Sequence, residues 1–151
     1  MQYDRKITIS AGSNRRAMTW KPQTRLISEL WARLQTPARG TETLAEYLNM
    51  KKAQQDDLKD VGGFMAGTLS GPRRKANNVT GRDVITLDLD NIPSGGTEDV
   101  LRRVEALGCG YCIYSTRKHS PAAPRLRVLL PTDRTMTADE YEPCARKMAE
   151  Y

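Results

Sequence analysis

Two aspartates close the strongest strand pattern of the chain, Val84-Ile85-Thr86-Leu87-Asp88-Leu89-Asp90. Side chains alternate across a strand, so Asp88 and Asp90 share one face while Ile85, Leu87 and Leu89 share the other. Their Cα atoms then lie roughly 6.5 Å apart. That lets both carboxylates converge on one divalent cation, or on a pair about 4 Å apart. A bare Asp-x-Asp is also what an ordinary solvent-side strand end looks like. The run Arg125-Leu126-Arg127-Val128-Leu129-Leu130 behaves in the same way, with Arg125 and Arg127 on one face and Leu126, Val128 and Leu130 on the other. If the two strands are neighbours with both apolar faces on the core, two carboxylates stand beside two guanidiniums. That set suits a metal-bound polyphosphate. The plainer outcome is a cross-strand Asp–Arg ion pair, worth under ~1 kcal/mol at a surface.

His119 is the single histidine and lies beside the basic strand, in Ser115-Thr116-Arg117-Lys118-His119-Ser120-Pro121. A lone loop histidine is an unremarkable solvated group unless something aims it. Having only one argues against rolling-circle initiator endonucleases, which hold their metal with paired histidines. Cys109-x-x-Cys112 with His119 and Cys144 could supply four zinc donors. However, Cys112 falls in a strand run and no second Cys-x-x-Cys exists, so buried thiols are the expectation. Arg73, Arg74 and Lys75, with Arg15 and Arg16, are candidate contacts to a nucleic-acid backbone, or simply a solvated basic turn.

These groups need strands and turns to hold them. Residues 5 to 10 alternate as a half-buried strand. Leu26, Ile27, Leu30, Trp31 and Leu34 predict one helix from Thr24 to about Gln35, stopping before Pro37. A short helix fits Thr43 to Met50, and the charged stretch 51–60 fits a solvated helix face or loop. Gly62 to Gly67 is apolar and glycine-rich, and Gly71 to Lys75 is a basic turn. After the 84–90 strand and a turn at 91–96, a helix is expected from an N-cap at Thr97 to Gly108. Strands follow at Gly110–Ser115 and Leu126–Leu130. Thr137-x-x-Glu140 reads as a capping box opening a last helix, with Tyr141, Cys144, Ala145 and Met148 on one side. Pro143 is expected to kink that helix or move its start downstream. The sequence stops at Tyr151 in mid-helix, as a chain truncated at its C-terminus would.

Composition bounds the rest. The chain has 151 residues, with 24 Lys+Arg against 18 Asp+Glu, 38% hydrophobic and 28% charged residues. A single folded domain over 1–151 is expected, and a collagen-like, coiled-coil or disordered chain is not. No run is long enough for a spanning helix and no signal peptide opens the chain. Three cysteines suit a reducing compartment. A cytoplasmic location and no membrane partner follow as expectations. The surplus of positive charge favours a polyanionic partner.

Three segments, in this order, resemble the primase-polymerase domain of phage and prophage replication proteins of the virulence-associated E type, within the archaeo-eukaryotic primase superfamily. They are Lys59-Asp60-Val61-Gly62-Gly63-Phe64, the strand ending Leu87-Asp88-Leu89-Asp90-Asn91, and Tyr114-Ser115-Thr116 through Pro124-Arg125-Leu126-Arg127-Val128-Leu129-Leu130-Pro131. The resemblance implies an α+β fold with an RRM-like core sheet flanked by helices and an N-terminal α/β extension. It also implies two-metal nucleotidyl transfer on a single-stranded DNA template, using nucleoside triphosphates and Mg²⁺ or Mn²⁺ in a bacterial host cell. Asp88 and Asp90 inherit the metal role. Ser115 fits the serine of a Ser-x-His element that contacts the incoming nucleotide, but Arg117 stands at the histidine position. His119 substitutes if that segment stays extended. Arg125 and Arg127 would steady the triphosphate. The third metal-binding acid of the family has no strand-borne match after Pro131, so it is expected downstream, together with a helicase domain. Residues 1–151 alone are then expected to catalyse poorly or not at all. Two other functions fit the same residues: an RRM-like module that only binds nucleic acid or protein, with Tyr111, Tyr114 and Phe64 for stacking, and a metal-dependent nuclease.

Overall fold

The structure, a computed structural model, describes residues 3–151. The chain forms two compact units, one reaching to Gly81 and the other spanning Arg82–Tyr151. Helices mix with antiparallel strands throughout, an α+β fold consistent with an RRM-like core.

In the N-terminal unit, β1 (Lys6–Gly12) is the central strand of a β2-β1-β3 sheet. It pairs antiparallel with β2 (Lys21–Leu26), from Lys6↔Leu26 to Ala11↔Lys21, and with β3 (Gly63–Met65). The helix expected from Thr24 therefore begins three residues later, as α1 (Ile27–Leu34). Thr24, Arg25 and Leu26 are drawn into the ladder with β1, and Glu29 caps the new start by accepting the Leu26 N–H at 2.8 Å. β2 had no apolar alternation to announce it, because it is an edge strand exposed from Lys21 to Thr24. Next come α2 (Leu44–Asn49), within the stretch expected to be helical and capped by Thr43, α3 (Lys52–Leu58), and, in the glycine-rich segment, β3 followed by β4 (Gly67–Leu69), which belong to different sheets.

Gly12 packs directly against the Trp20 ring. A Cβ on Gly12 would stand 2.6 Å from the Trp20 ring, which is buried. The ring is almost fully buried, so Gly12→Ala is expected to cost about 1–3 kcal/mol by overpacking. Urea unfolding checks this, and a loss within error of zero would show that the hairpin shifts freely.

In the C-terminal unit, β5 (Val79–Leu89), β7 (Leu126–Met136) and β6 (Cys112–Ser115) lie side by side, antiparallel. β5 continues across the division from the N-terminal unit. Ile85, Val104, Val128, Leu130 and Met136 form the core, with Leu87, Leu89, Val100, Leu107 and Ile113 packed against it. The apolar face predicted for both strands is thus the core face. α4 (Thr97–Ala106) is capped by Gly96 rather than Thr97, and it ends as expected at Gly108, whose φ of 65° and N–H to Glu105 O form a left-handed cap.

β7 continues well past Leu130. Pro131 has no N–H to give the ladder, and the pairing slips there, from Val84↔Pro131 to Arg82↔Met136. Asp133 is therefore strand-borne, contrary to expectation.

α5 (Ala138–Glu150) begins at the predicted capping box and runs through Pro143, which does not displace its start. Docking holds it. Tyr141 accepts the Thr86 N–H at 3.3 Å, lies under the Arg82 guanidinium at 4.7 Å, and packs on the core with Ala145 and Met148. Cys144, expected on that side, is exposed.

At the helix start, Arg134 and then the Thr137 N–H hold the Glu140 carboxyl at about 2, against an ordinary 4.5. A depressed folded-state pKa stabilises above the unfolded value and is lost as pH falls through the folded one. Glu140→Gln is expected to lower the thermal midpoint at neutral pH, and the gap to the parent should close between about 4.5 and about 2. A gap that stays constant through that window contradicts the assignment.

Candidate functional site

The antiparallel register of β5 and β7 sets Asp88 directly opposite Arg127, and that of β6 and β7 sets Tyr114 opposite the same arginine. A row of three polar side chains therefore crosses three strands on the side away from the core. Arg127 donates from Nε and Nη2 to the two Asp88 oxygens, at 2.5 and 3.1 Å, in a bidentate fork. Its Nη1 lies 3.4 Å from the Tyr114 hydroxyl, and its guanidinium carbon 5.9 Å from the ring centroid. Asp88 first, and Tyr114 after desolvation is set against it, hold the guanidinium firmly protonated. One step along, Asp90 lies just past the end of β5 and pairs with Arg125 Nη1 at 3.2 Å. Both carboxylates are about half exposed, at 53% and 55%. The predicted arrangement of two acids beside two guanidiniums is present, as one ion pair across β5 and β7 and a second just beyond the ends of those strands.

The Ser115 to His119 segment folds differently from the expectation. Ser115 ends β6 and is exposed, but the chain then turns, and the His119 N–H donates to Thr116 O at 2.9 Å. Residues 117 and 119 are not two positions on one side of an extended strand, so alternation cannot make His119 a substitute for a histidine at 117. The turn aims His119 by another route. Its Nδ1 accepts the backbone N–H of Arg125 at 3.1 Å, which places the proton of the neutral ring on Nε2 and fixes the ring against the Arg125 backbone. Ser120 and Ala123 exchange backbone hydrogen bonds, closing the loop that leads back into β7.

Among the described residues, no group of three or more His, Cys, Asp or Glu side chains is placed to hold a metal ion. Asp133, although strand-borne, is six residues along β7 from Arg127, about 20 Å away by strand rise. The zinc set does not assemble. Cys109 and Cys144 are exposed rather than buried, and burial pushes the Cys112 thiol up, away from the thiolate a metal needs. The donor set that is present, two carboxylates on one face, matches the way Mg²⁺ is bound by one or two carboxylates with phosphate and water completing its shell.

The remaining candidates belong to the N-terminal unit. Arg73, Arg74 and Lys75 are exposed on a loop joined to the β1–β2 connection by the Trp20 N–H, which donates to Pro72 O at 2.6 Å. Arg74 stacks over the Trp20 ring at 4.8 Å. Arg16 is exposed on that same connection. Arg15 faces elsewhere. It pairs with Asp56 at 3.4 Å and Asp60 at 3.7 Å, and its N–H donates to Asp60.

A family model for the VapE N-terminal domain matches residues 1–151. The chain belongs to the VapE N-terminal domain family. Membership agrees with the virulence-associated E-type resemblance carried by the three segments, and it supports a phage-type, replication-associated domain. No curated protein and no solved structure matches the chain. Within this VapE N-terminal domain, Tyr114 is legible from the sequence as part of a family-like segment and as a stacking aromatic, but not as a partner of Arg127. Its place against Arg127 depends on the β6–β7 register, which no local pattern encodes.

Proposed function

We propose that the C-terminal unit is the nucleotidyl-transfer site of a phage-type primase-polymerase acting on single-stranded DNA. The observation that carries this is the pair of rows Asp88-Arg127 and Asp90-Arg125 at one end of an antiparallel sheet. Asp88 and Asp90 would hold the divalent cations, Mg²⁺ or Mn²⁺. Bound there, the cations supply Lewis-acid stabilisation of the attacking 3′-hydroxyl and the departing pyrophosphate. The chain's own groups do the positioning. Arg125 and Arg127 neutralise the triphosphate and orient it by forked hydrogen bonds. His119, with its proton on Nε2, presents a donor to phosphate. Ser115, exposed at the end of β6, supplies a hydroxyl at the mouth of the same turn, and Arg117 lies within that turn. In the N-terminal unit, Arg16, Arg73, Arg74 and Lys75 are suited to the template backbone, where each contact adds salt-dependent affinity without reading sequence. Arg15 joins them only by leaving Asp56 and Asp60.

The test is incubation of the intact protein with single-stranded template, nucleoside triphosphates and Mg²⁺ or Mn²⁺. Strands that lengthen support nucleotidyl transfer. Strands that shorten indicate a nuclease, and strands that are only retarded indicate a binding module. Either of the last two overturns the proposal.

A further inference from the structure

Trp20 is buried, yet part of its cover is a side chain that is itself exposed. The fusion atoms of the indole lie against Gly12, which has no Cβ to hold the ring away. Over the ring stands the guanidinium of Arg74, 4.8 Å from the centroid, on a residue exposed to solvent. The loop that carries Arg74 is closed by other groups. The Trp20 N–H donates to Pro72 O at 2.6 Å, Asn78 Nδ2 donates to Arg73 O at 2.9 Å, and the Asn78 N–H donates to Lys75 O at 3.0 Å. Arg74 can therefore swing off the ring while the loop backbone stays in place. No acid holds it back. Among the described residues, Arg73, Arg74 and Lys75 have no carboxylate partner, whereas Arg15 is tied to Asp56 and Asp60 and Arg127 to Asp88.

We propose that Trp20 is a stacking platform for one unpaired base of a single-stranded nucleic acid, and that Arg74 is its removable cover. The flat face of a base replaces the guanidinium on the indole, and the released guanidinium meets a phosphate beside that base. Both halves of the exchange are favourable. An exposed cation–π contact is weaker than a base–aromatic stack, and an arginine without a counter-ion gains a charge-assisted fork on phosphate. Arg73 and Lys75, exposed on either side of Arg74 in the loop, supply charge for the flanking phosphates. The inference rests on the N-terminal unit taking single-stranded template, as in the proposed function, but it requires neither the Asp88 and Asp90 site nor strand synthesis.

Trp31 is the only other tryptophan, so the full chain carrying Trp31→Phe reports on Trp20 alone. Titration with oligo(dT) is expected to quench its fluorescence. An abasic oligomer of equal length, which carries the phosphates without the bases, should leave it bright. Trp20→Leu is expected to bind oligo(dT) about fivefold or more weakly than the parent, the low end of what one stacked base contributes, and to bind the abasic oligomer as the parent does. Arg74→Ala should open Trp20 to acrylamide in the free protein and weaken the abasic oligomer, with a salt slope smaller by about 0.7. Circular dichroism checks each variant, and the Trp31→Phe titration decides the matter even where Trp20→Leu does not fold. Equal binding of the two oligomers without quenching would overturn the platform and leave template binding through phosphates standing. Trp20 as shielded in Arg74→Ala as in the parent would overturn the cover. No binding of either oligomer would remove the inference and the template reading together, whereas quenching by oligo(dT) in a protein that extends no strand keeps the platform and removes the polymerase assignment.

Discussion

Asp88→Asn is expected to lower template-directed strand extension by about 10²–10³-fold or more in the intact protein. A cation at a transferring phosphoryl group is worth several kcal/mol of transition-state stabilisation, and each 1.4 kcal/mol is tenfold in rate. An amide keeps the shape of the carboxylate but loses the charge, so the fold should survive while the cation's hold weakens. Loss of the Arg127 fork itself costs little stability, because Asp88 is 53% exposed and Arg127 38% exposed. Stability and activity therefore separate in this variant: the thermal midpoint should move by a few degrees at most while extension collapses. Asp90→Asn should act in the same direction. Extension by Asp88→Asn at the parent's rate would remove the assignment of these acids to cation binding.

The largest effect on folding is expected at Leu129. It lies on the same side of β7 as Arg125 and Arg127, yet none of its surface is exposed. It is paired on both flanks, with Thr86 of β5 and Cys112 of β6. Truncation to alanine removes the apolar contact and leaves a cavity that three hydrogen-bonded strands cannot collapse to fill. The cost is expected to be about 2–5 kcal/mol. That is a large share of the roughly 5–15 kcal/mol that holds an average domain folded. Urea denaturation at constant m-value measures it. A loss below about 1 kcal/mol would mean that the strand relaxes around the hole. The comparison with Asp88→Asn is instructive because the two residues share one sheet face: its buried end sustains the fold and its exposed end carries the ionic groups.

Local pattern was enough to find much of this. Alternation in Val84–Asp90 and Arg125–Leu130 assigned the faces of β5 and β7 correctly. The capping residue Thr137 and the stop at Gly108 mark helix ends by hydrogen bonds that span three or four residues. Errors arose where a distant partner outbid the local signal. Thr24 to Leu26 have helical spacing but are captured by β1, and β7 persists beyond Pro131 by changing its partner residues.

The same division separates the candidate site from its wiring. By itself the sequence determined which residue types share a strand face, because side-chain alternation is a property of a single strand. It also determined the two acids and two arginines, and three ordered segments sufficient to place the chain in its family. Only the tertiary structure decided that Asp88 faces Arg127 and not its neighbour, that Tyr114 completes the row, and that His119 turns back onto the Arg125 N–H. Register and turn closure are set by hydrogen bonds between segments far apart in the chain, and a one-residue slip, which leaves every local pattern intact, would place each of those partners on opposite faces.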